Sequence, residues 1–206
     1  MSKLNSYQNS KEQYKSNIDL LAYEFNERNQ HAFRYIFESY YKAAVLFARE
    51  ILKEQAFEAE DLVQDAFIKL WNQAENFNAL AAIRSYIYTT VKNACLDKLR
   101  KGLLTNKYQG HAKKQLEMLE AEFIEPLITA ETTRIIYEAI DKLPEQGRNV
   151  FKMSLEGLKN DEIAERLNIS VNTVKTHKQR ALTSLRIYIG DALFLFILLN
   201  HDHWLK

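Results

Sequence analysis

The segment from Lys159 to Arg186 (KNDEIAERLNISVNTVKTHKQRALTSLR) carries side chains whose types and spacing suit contact with nucleic acid. The pattern predicts two helices joined by a tight turn, with Asn168 at the turn and Ser170 as N-cap of the second helix. The second helix contains no acid and turns outward short polar groups, which reach base edges, and long cations, which reach phosphates. The outward residues are Asn172, Thr173, Lys175, Thr176, Gln179 and Arg180. This pattern is typical of a helix-turn-helix whose second helix enters the DNA major groove.

A second constellation lies between Glu60 and Trp71 (EDLVQDAFIKLW) and combines carboxylates with an apolar side chain. At helical spacing, one stripe of this segment is apolar and predicts a buried face. The opposite face carries Asp61, Gln64, Asp65 and Ile68. An exposed isoleucine ringed by polar groups suits a protein contact. The alternative is an acidic, solvated helix with one stray exposed isoleucine.

A third constellation follows in a basic helix and in the loop before it. The helix exposes cations interleaved with an aromatic and an amide, a combination that tracks a nucleic-acid backbone and stacks bases. Its outward residues are predicted to be Arg84, Tyr88, Lys92, Asn93, Asp97 and Arg100. The preceding loop, residues 75–82, contains Asn76 and Phe77 beside small residues and suits a pocket for an unstacked base. The alternative is a basic amphipathic helix after an ordinary loop.

Motifs of the common enzyme classes are missing from the chain, which lacks HExxH, CxxC, P-loop and GxSxG patterns. We therefore expect no catalytic residue, metal site, cofactor or small-molecule substrate. The net charge of +1 does not indicate a nucleic-acid partner by itself, so that inference rests on local charge clusters. The single cysteine, Cys95, fits a reducing compartment, and the polar N-terminus is no secretory signal. We expect a cytoplasmic protein.

The elements that must position these residues are predicted to be helices, because the chain has only five glycines and two prolines. Apolar residues recur at helical spacing from Ile18 to Leu52, with one stripe containing Phe33, Ile36, Phe37, Tyr40, Ala44, Phe47, Ala48 and Ile51. Further helices are expected at about 57–72 and 83–101, and four short ones from about Ala130. The prediction is an all-α protein with two helical domains joined by a linker, the C-terminal one a helix-turn-helix. Its parts are a disordered tail (1–16), a first domain (17–101), the linker (102–129), a second domain (130–189) and an apolar tail (190–206).

These segments in this order resemble the extracytoplasmic-function sigma factors of bacterial RNA polymerase. AEDLVQDAFIKLW (59–71) is similar to the family's core-polymerase-binding helix, and SYIYTTVKNACLDKLRK (85–101) to its −10-element helix. LPEQGRNVF (143–151) and EIAERLNISVNTVKTHKQRAL (162–182) resemble its −35-binding domain. The chain departs from the family pattern at Leu182, where another cation is common, and at Asn168, where glycine is common.

The resemblance implies a division of labour between the three constellations. Asp61, Gln64, Asp65 and Ile68 would bind core RNA polymerase, and the last helix would bind the −35 element as duplex DNA. The loop containing Asn76 and Phe77, together with the helix from Arg84 to Arg100, would capture a non-template base at −10 and so promote strand opening. An anti-sigma factor is a further implied partner, and the apolar run 192–199 is one candidate docking segment for it. The alternative function is a two-domain helix-turn-helix regulator that does not bind core polymerase.

Overall fold

A computed structural model describes residues 2–73, 76–105 and 123–190, and throughout these ranges the regular structure is helical, with no strand. The expected all-α class is confirmed. The chain divides into two compact units, residues 1–134 and 135–206. None of the described helices has the length and apolar character needed to span a bilayer.

The first unit contains α1 (Ser2–Ser16), α2 (Ile18–Asn26), α3 (Gln30–Leu52), α4 (Ala59–Asn72) and α5 (Leu80–Thr105), and a short 3-10 helix (Lys53–Glu58) joins α3 to α4. Helix α3 is central, because α1, α2, α4 and α5 all pack against it. Its predicted stripe is confirmed. Six of the eight residues are buried, and Phe33 and Phe37 are partly buried against the same core. Each fully buried large apolar side chain contributes roughly 1.5–3 kcal/mol, so the stripe stabilises the unit together with the apolar faces of α2, α4 and α5.

The segment predicted as one helix from Ile18 to Leu52 is two helices in the structure. Arg28 has a φ of 60°, which a right-handed helix does not allow, and Asn29 begins α3 by accepting a hydrogen bond from the His31 amide at 2.8 Å. Asparagine is among the best N-cap residues, and this local signal competes successfully with the continuous apolar pattern.

Helix α1 contradicts the predicted disordered tail. Tyr7 and Tyr14, seven residues apart and therefore on one face, are buried with 2% and 1% of their surface exposed. The Tyr7 hydroxyl donates to Glu38 Oε2 at 2.7 Å, and the Tyr14 hydroxyl donates to Glu24 Oε2 at 2.5 Å. Two tyrosines with acceptors on neighbouring helices hold a segment whose composition is otherwise polar.

The second unit is built by the C-terminal part of α6 (Ile124–Asp141), from residue 135 onward, with α7 (Glu145–Leu155), α8 (Asn160–Leu167) and α9 (Val171–Ile189). Four helices were expected here, but α6 and α9 are longer than the short helices predicted. The predicted linker, 102–129, is shortened at both ends, since α5 reaches Thr105 and α6 starts at Ile124. The remainder of the linker (106–122) and the apolar run 192–199 lie outside the described residues.

Candidate DNA-binding and protein-binding surfaces

The helix-turn-helix of the second unit is built as the sequence indicates. Ile163 and Val174 are fully buried in a small core, and Leu167 and Ile169 pack against it. Asn168 adopts the left-handed conformation with φ 52° and ψ 48°, which lets the chain leave α8 and turn into α9. The Ser170 hydroxyl oxygen accepts a hydrogen bond from the Thr173 amide at 3.0 Å and caps α9.

Helix α9 presents a row of exposed polar and cationic side chains with no acid among them, namely Asn172, Lys175, Thr176, Gln179 and Arg180. Thr173 differs because it is half-buried and its hydroxyl lies 2.8 Å from Ser170 Oγ, so it forms part of the cap. The Thr176 hydroxyl donates to the Asn172 carbonyl at 2.9 Å, which leaves its oxygen lone pairs as acceptors. The row offers donors and acceptors for base edges and two cations for phosphates.

Lys178, by contrast, belongs to the supporting side of α9. Its Nζ lies 3.3 Å from Asn160 Oδ1 of α8, and burial lowers the pKa of its ammonium group. The helix therefore uses this lysine to hold α8 rather than to extend the exposed row.

Helix α4 separates an apolar face from an acidic one. Val63, Ala66, Phe67 and Leu70 are buried, whereas Asp61, Gln64 and Asp65 are exposed and Ile68 keeps 58% of its surface in solvent. In the described part of the chain neither Asp61 nor Asp65 forms an ion pair, so both carboxylates are available to a cationic partner. Gln64 has one weak contact, 3.5 Å from its Nε2 to the Tyr41 hydroxyl.

The loop before α5 places Asn76 and Phe77 differently. Asn76 is exposed, while Phe77 is partly buried against the core, with its ring 5.9 Å from Phe25 and 5.6 Å from Tyr86. The Phe77 amide donates to Asn26 Oδ1 at 3.0 Å, and Asn26 Nδ2 donates to the Phe77 carbonyl at 2.8 Å. This reciprocal pair fixes the loop backbone. The loop is shorter than expected because α5 already starts at Leu80, and residue 75 lies outside the described residues.

The C-terminal half of α5 brings four of the predicted residues together. Lys92, Asn93, Asp97 and Arg100, with Leu96, line a surface pocket of about 500 Å³. Arg100 Nη1 donates to Asp97 Oδ1 at 2.9 Å, and Lys92 Nζ lies 4.3 Å from the centre of the Phe123 ring. The pocket therefore combines an amide and a carboxylate, which suit a base edge, with two cations, which suit a phosphate.

Tyr88 contradicts the predicted exposure, because only 6% of its surface reaches solvent. Its ring packs edge-on against Phe47 at 5.3 Å, and its hydroxyl donates to Glu131 Oε1 at 2.5 Å. Burial and the hydrogen bond to Glu131 raise the pKa of Tyr88 above its usual range. Glu131 also accepts from Arg84 at 3.4 Å and from Arg134 at 3.1 Å. The helical wheel of α5 gave no sign of this acid, which lies 43 residues further along the chain on α6.

The comparisons with known proteins agree with this arrangement. The family model described as Sigma-70 region 2 matches residues 36–103, and the one described as Sigma-70, region 4 matches residues 133–185. Among curated proteins, ECF RNA polymerase sigma factor SigM of Mycobacterium tuberculosis is 28% identical over 177 residues, which is 85% of this chain and 86% of that protein. SigW of Bacillus subtilis is 29% identical over 143 residues, covering 65% of this chain and 76% of SigW. The ferric citrate uptake sigma factor FecI of Escherichia coli is 28% identical over 130 residues, covering 63% and 75%.

The first unit thus holds the region 2 match, and the second unit holds nearly all of the region 4 match. The acid-free helix α9 lies in the region 4 match except for its last four residues, and α4 and α5 lie in the region 2 match except for the last two residues of α5. The chain belongs to the extracytoplasmic-function sigma factors of the sigma-70 family.

Proposed function

We propose that this sigma factor binds core RNA polymerase through α4, holds the −35 element through α9, and captures a −10 base through α5 and the loop before it. The observation that carries the proposal is the presence, in one chain, of an acidic surface on α4, whose Asp61 and Asp65 form no ion pair within the described residues, and an acid-free polar row on α9. A stand-alone helix-turn-helix regulator needs the second surface but has no use for the first. The two-domain regulator is therefore the less favoured function.

The α4 surface suits a cationic protein partner. Asp61 and Asp65 lie one turn apart on the exposed side, and Ile68 supplies an apolar contact beside them. In this proposal the partner is the largest subunit of core polymerase. The carboxylates steer association, and burial of the isoleucine contributes most of the affinity.

The α5 surface supports base capture through its pocket rather than through Tyr88. Asn93, Asp97 and Arg100 line the pocket and stay exposed, whereas the ring of Tyr88 is covered. Capture of an extruded base offsets an unstacking cost of a few kcal/mol and so favours strand opening. No bond-making step is assigned to the chain, and its place of action is the cytoplasm, where polymerase and chromosome are found. The anti-sigma factor implied by the resemblance stays a prediction.

Co-purification with core polymerase tests the α4 assignment. Asp61→Lys with Asp65→Lys should abolish complex formation, because two attractive contacts become repulsive, while the helical content stays unchanged since both side chains are exposed. Glu27→Lys with Glu50→Lys is the matched control, as these exposed acids lie outside α4 and give the same change in net charge. Normal core binding by the folded α4 variant would refute the assignment.

Binding to promoter duplex tests the α9 assignment. Arg180→Ala should weaken binding to −35 DNA by roughly 1–3 kcal/mol, the usual value of one good contact to a base or phosphate group, and leave core binding intact. Arg148→Ala is the control within the same unit, because Arg148 lies on α7 and donates to the Asp141 carbonyl at 3.1 Å. An unchanged −35 footprint for Arg180→Ala would refute its role.

A further inference from the structure

The 3-10 helix between α3 and α4 exposes a large aromatic side chain. Phe57 is its one aromatic residue, and 80% of its surface is exposed, the highest value among the exposed large apolar residues of the described chain. Two of its polar residues turn towards α5, since Glu58 forms an ion pair with Lys98 and the Gln55 amide nitrogen lies near Gly102, whereas Lys53 and Glu54 stay exposed. Both contacts tie the turn to α5. The anchored backbone therefore keeps the Phe57 ring in solvent. Exposure of an aromatic ring is unfavourable in the free protein, and burial by a partner would remove that penalty.

Phe57 is also in register with the acidic surface of α4. Glu58 and Ala59 have right-handed backbone angles, so the helical path continues from Phe57 into α4. With about 100° per residue in α4 and up to about 120° in the 3-10 turn, Phe57, Gln64 and Ile68 fall within roughly 60° of one another, and Asp61 and Asp65 lie along one edge of that stripe. With a rise of about 1.5–2 Å per residue, Phe57 and Ile68 are roughly 16–18 Å apart along the axis. Two exposed apolar side chains thus stand at the two ends of a polar, acidic stretch.

We propose that Phe57, Asp61, Gln64, Asp65 and Ile68 form a single two-anchor surface, occupied by a helix of core polymerase that carries cations between two apolar positions. The inference rests on the proposed function and adds the second anchor and the shape of the partner: about three helical turns, with apolar contacts at both ends. Large apolar side chains that lose their water on binding are frequent hot spots, and the acids between them supply charge complementarity to a cationic partner. A second copy of this chain is a poor occupant, because a two-fold contact would bring the acids of one surface against those of the other.

Affinity for purified core polymerase tests the second anchor. Phe57→Ala should raise the Kd about fivefold to thirtyfold, the usual effect of truncating an interface anchor. Tyr23→Ala is the matched control, since Tyr23 is an exposed aromatic of the same unit (63%) that lies on α2. If Asp61→Lys with Asp65→Lys abolishes binding while Phe57→Ala binds like the control, Phe57 is not a contact for core polymerase. The proposed function then stands without the second anchor. If both variants bind normally, the proposed function itself fails.

Site-directed cross-linking identifies the occupant. Phe57→Cys introduces a reactive thiol, and the natural Cys95 stays silent because it is fully buried and burial raises its pKa to about 12. A photo-cross-linker attached to residue 57 should form a cross-link with a polymerase subunit. The cross-link should be lost when Asp61→Lys and Asp65→Lys are introduced into the same labelled chain. Cross-links to a second copy of the chain, or none in a complex that still forms, would overturn the proposal.

Discussion

Replacement of Glu131 by glutamine probes the contact that the sequence did not indicate. The Glu131 carboxylate accepts from the buried hydroxyl of Tyr88, from Arg84 and from Arg134, whose side chain is only 12% exposed. The glutamine side chain keeps the shape of the glutamate but loses its charge and one acceptor oxygen. A hydrogen bond to a charged group contributes about 1.5–3 kcal/mol, and the exposed Arg84 pair adds at most about 1 kcal/mol. We expect Glu131→Gln to destabilise the first unit by about 1–2 kcal/mol.

Urea unfolding of the first unit measures this effect. Trp71 is a local probe because its ring packs 4.8 Å from Phe33, and a Trp204→Phe background removes the second tryptophan signal. A loss of 1–2 kcal/mol lowers the midpoint by roughly 0.5–1 M at an m-value of about 2 kcal/mol/M. Glu125→Gln, at an exposed position of the same helix, is the control and should leave the midpoint unchanged.

A double-mutant cycle with Tyr88→Phe decides whether the stabilisation comes from the Tyr88–Glu131 hydrogen bond. Phenylalanine keeps the ring against Phe47 and removes only the hydroxyl. The coupling between the two substitutions should be at least about 1 kcal/mol, the size expected for groups in direct contact. Strict additivity within about 0.3 kcal/mol would show that Glu131 does not stabilise Tyr88 and would refute the reasoning.

Two further predictions concern α1 and the helix-turn-helix. Burial raises the pKa of Glu38, but hydrogen bonds from Tyr7, Arg34 and Lys11 outweigh it and lower the pKa from 4.5 to about 2. The stabilisation by the Glu38 carboxylate is therefore fully present above pH 4.5 and is lost as the pH falls towards 2. Glu38→Gln should therefore lower stability at pH 7 and flatten the unfolding profile in that acidic window; an unchanged profile would contradict the shift. Asn168→Val should destabilise the second unit by about 1–2 kcal/mol, because a β-branched residue disfavours a φ of 52°. Asn168→Gly should leave the stability unchanged, and thermal unfolding of the two variants measures the difference. Equal stability of the two variants would mean that the turn does not require this conformation.

The features that the sequence predicts correctly are local ones. The α3 stripe repeats at helical spacing, and a buried face needs only that period. The turn of the helix-turn-helix is predictable because Asn168 and Ser170 each satisfy a backbone requirement of their own position. The exposed side of α4 follows from the same periodicity, since Asp61 and Ile68 lie opposite its apolar stripe.

The features that escaped prediction depend on partners distant in the sequence. Helix α1 is polar overall, and its order depends on Tyr7 finding Glu38, 31 residues away. Tyr88 is outward on the wheel of its own helix, but Glu131 of α6 covers its hydroxyl. Phe57 lies in a short 3-10 turn whose sequence does not predict which side it exposes, and the contacts of Glu58 with Lys98 and of Gln55 with Gly102 show which way the turn faces. In all three cases the position of the side chain depends on a partner distant in the sequence, and a helical wheel shows only the residues of one helix.

In vitro transcription with purified core polymerase tests the central claim most directly. With genomic fragments as template, the chain should convert core polymerase from non-specific synthesis to initiation at discrete promoters. Asp61→Lys with Asp65→Lys should abolish that initiation, and Arg180→Ala should reduce it while core binding persists. Failure of the wild-type chain to direct initiation on any fragment, although it binds core polymerase, would contradict the account.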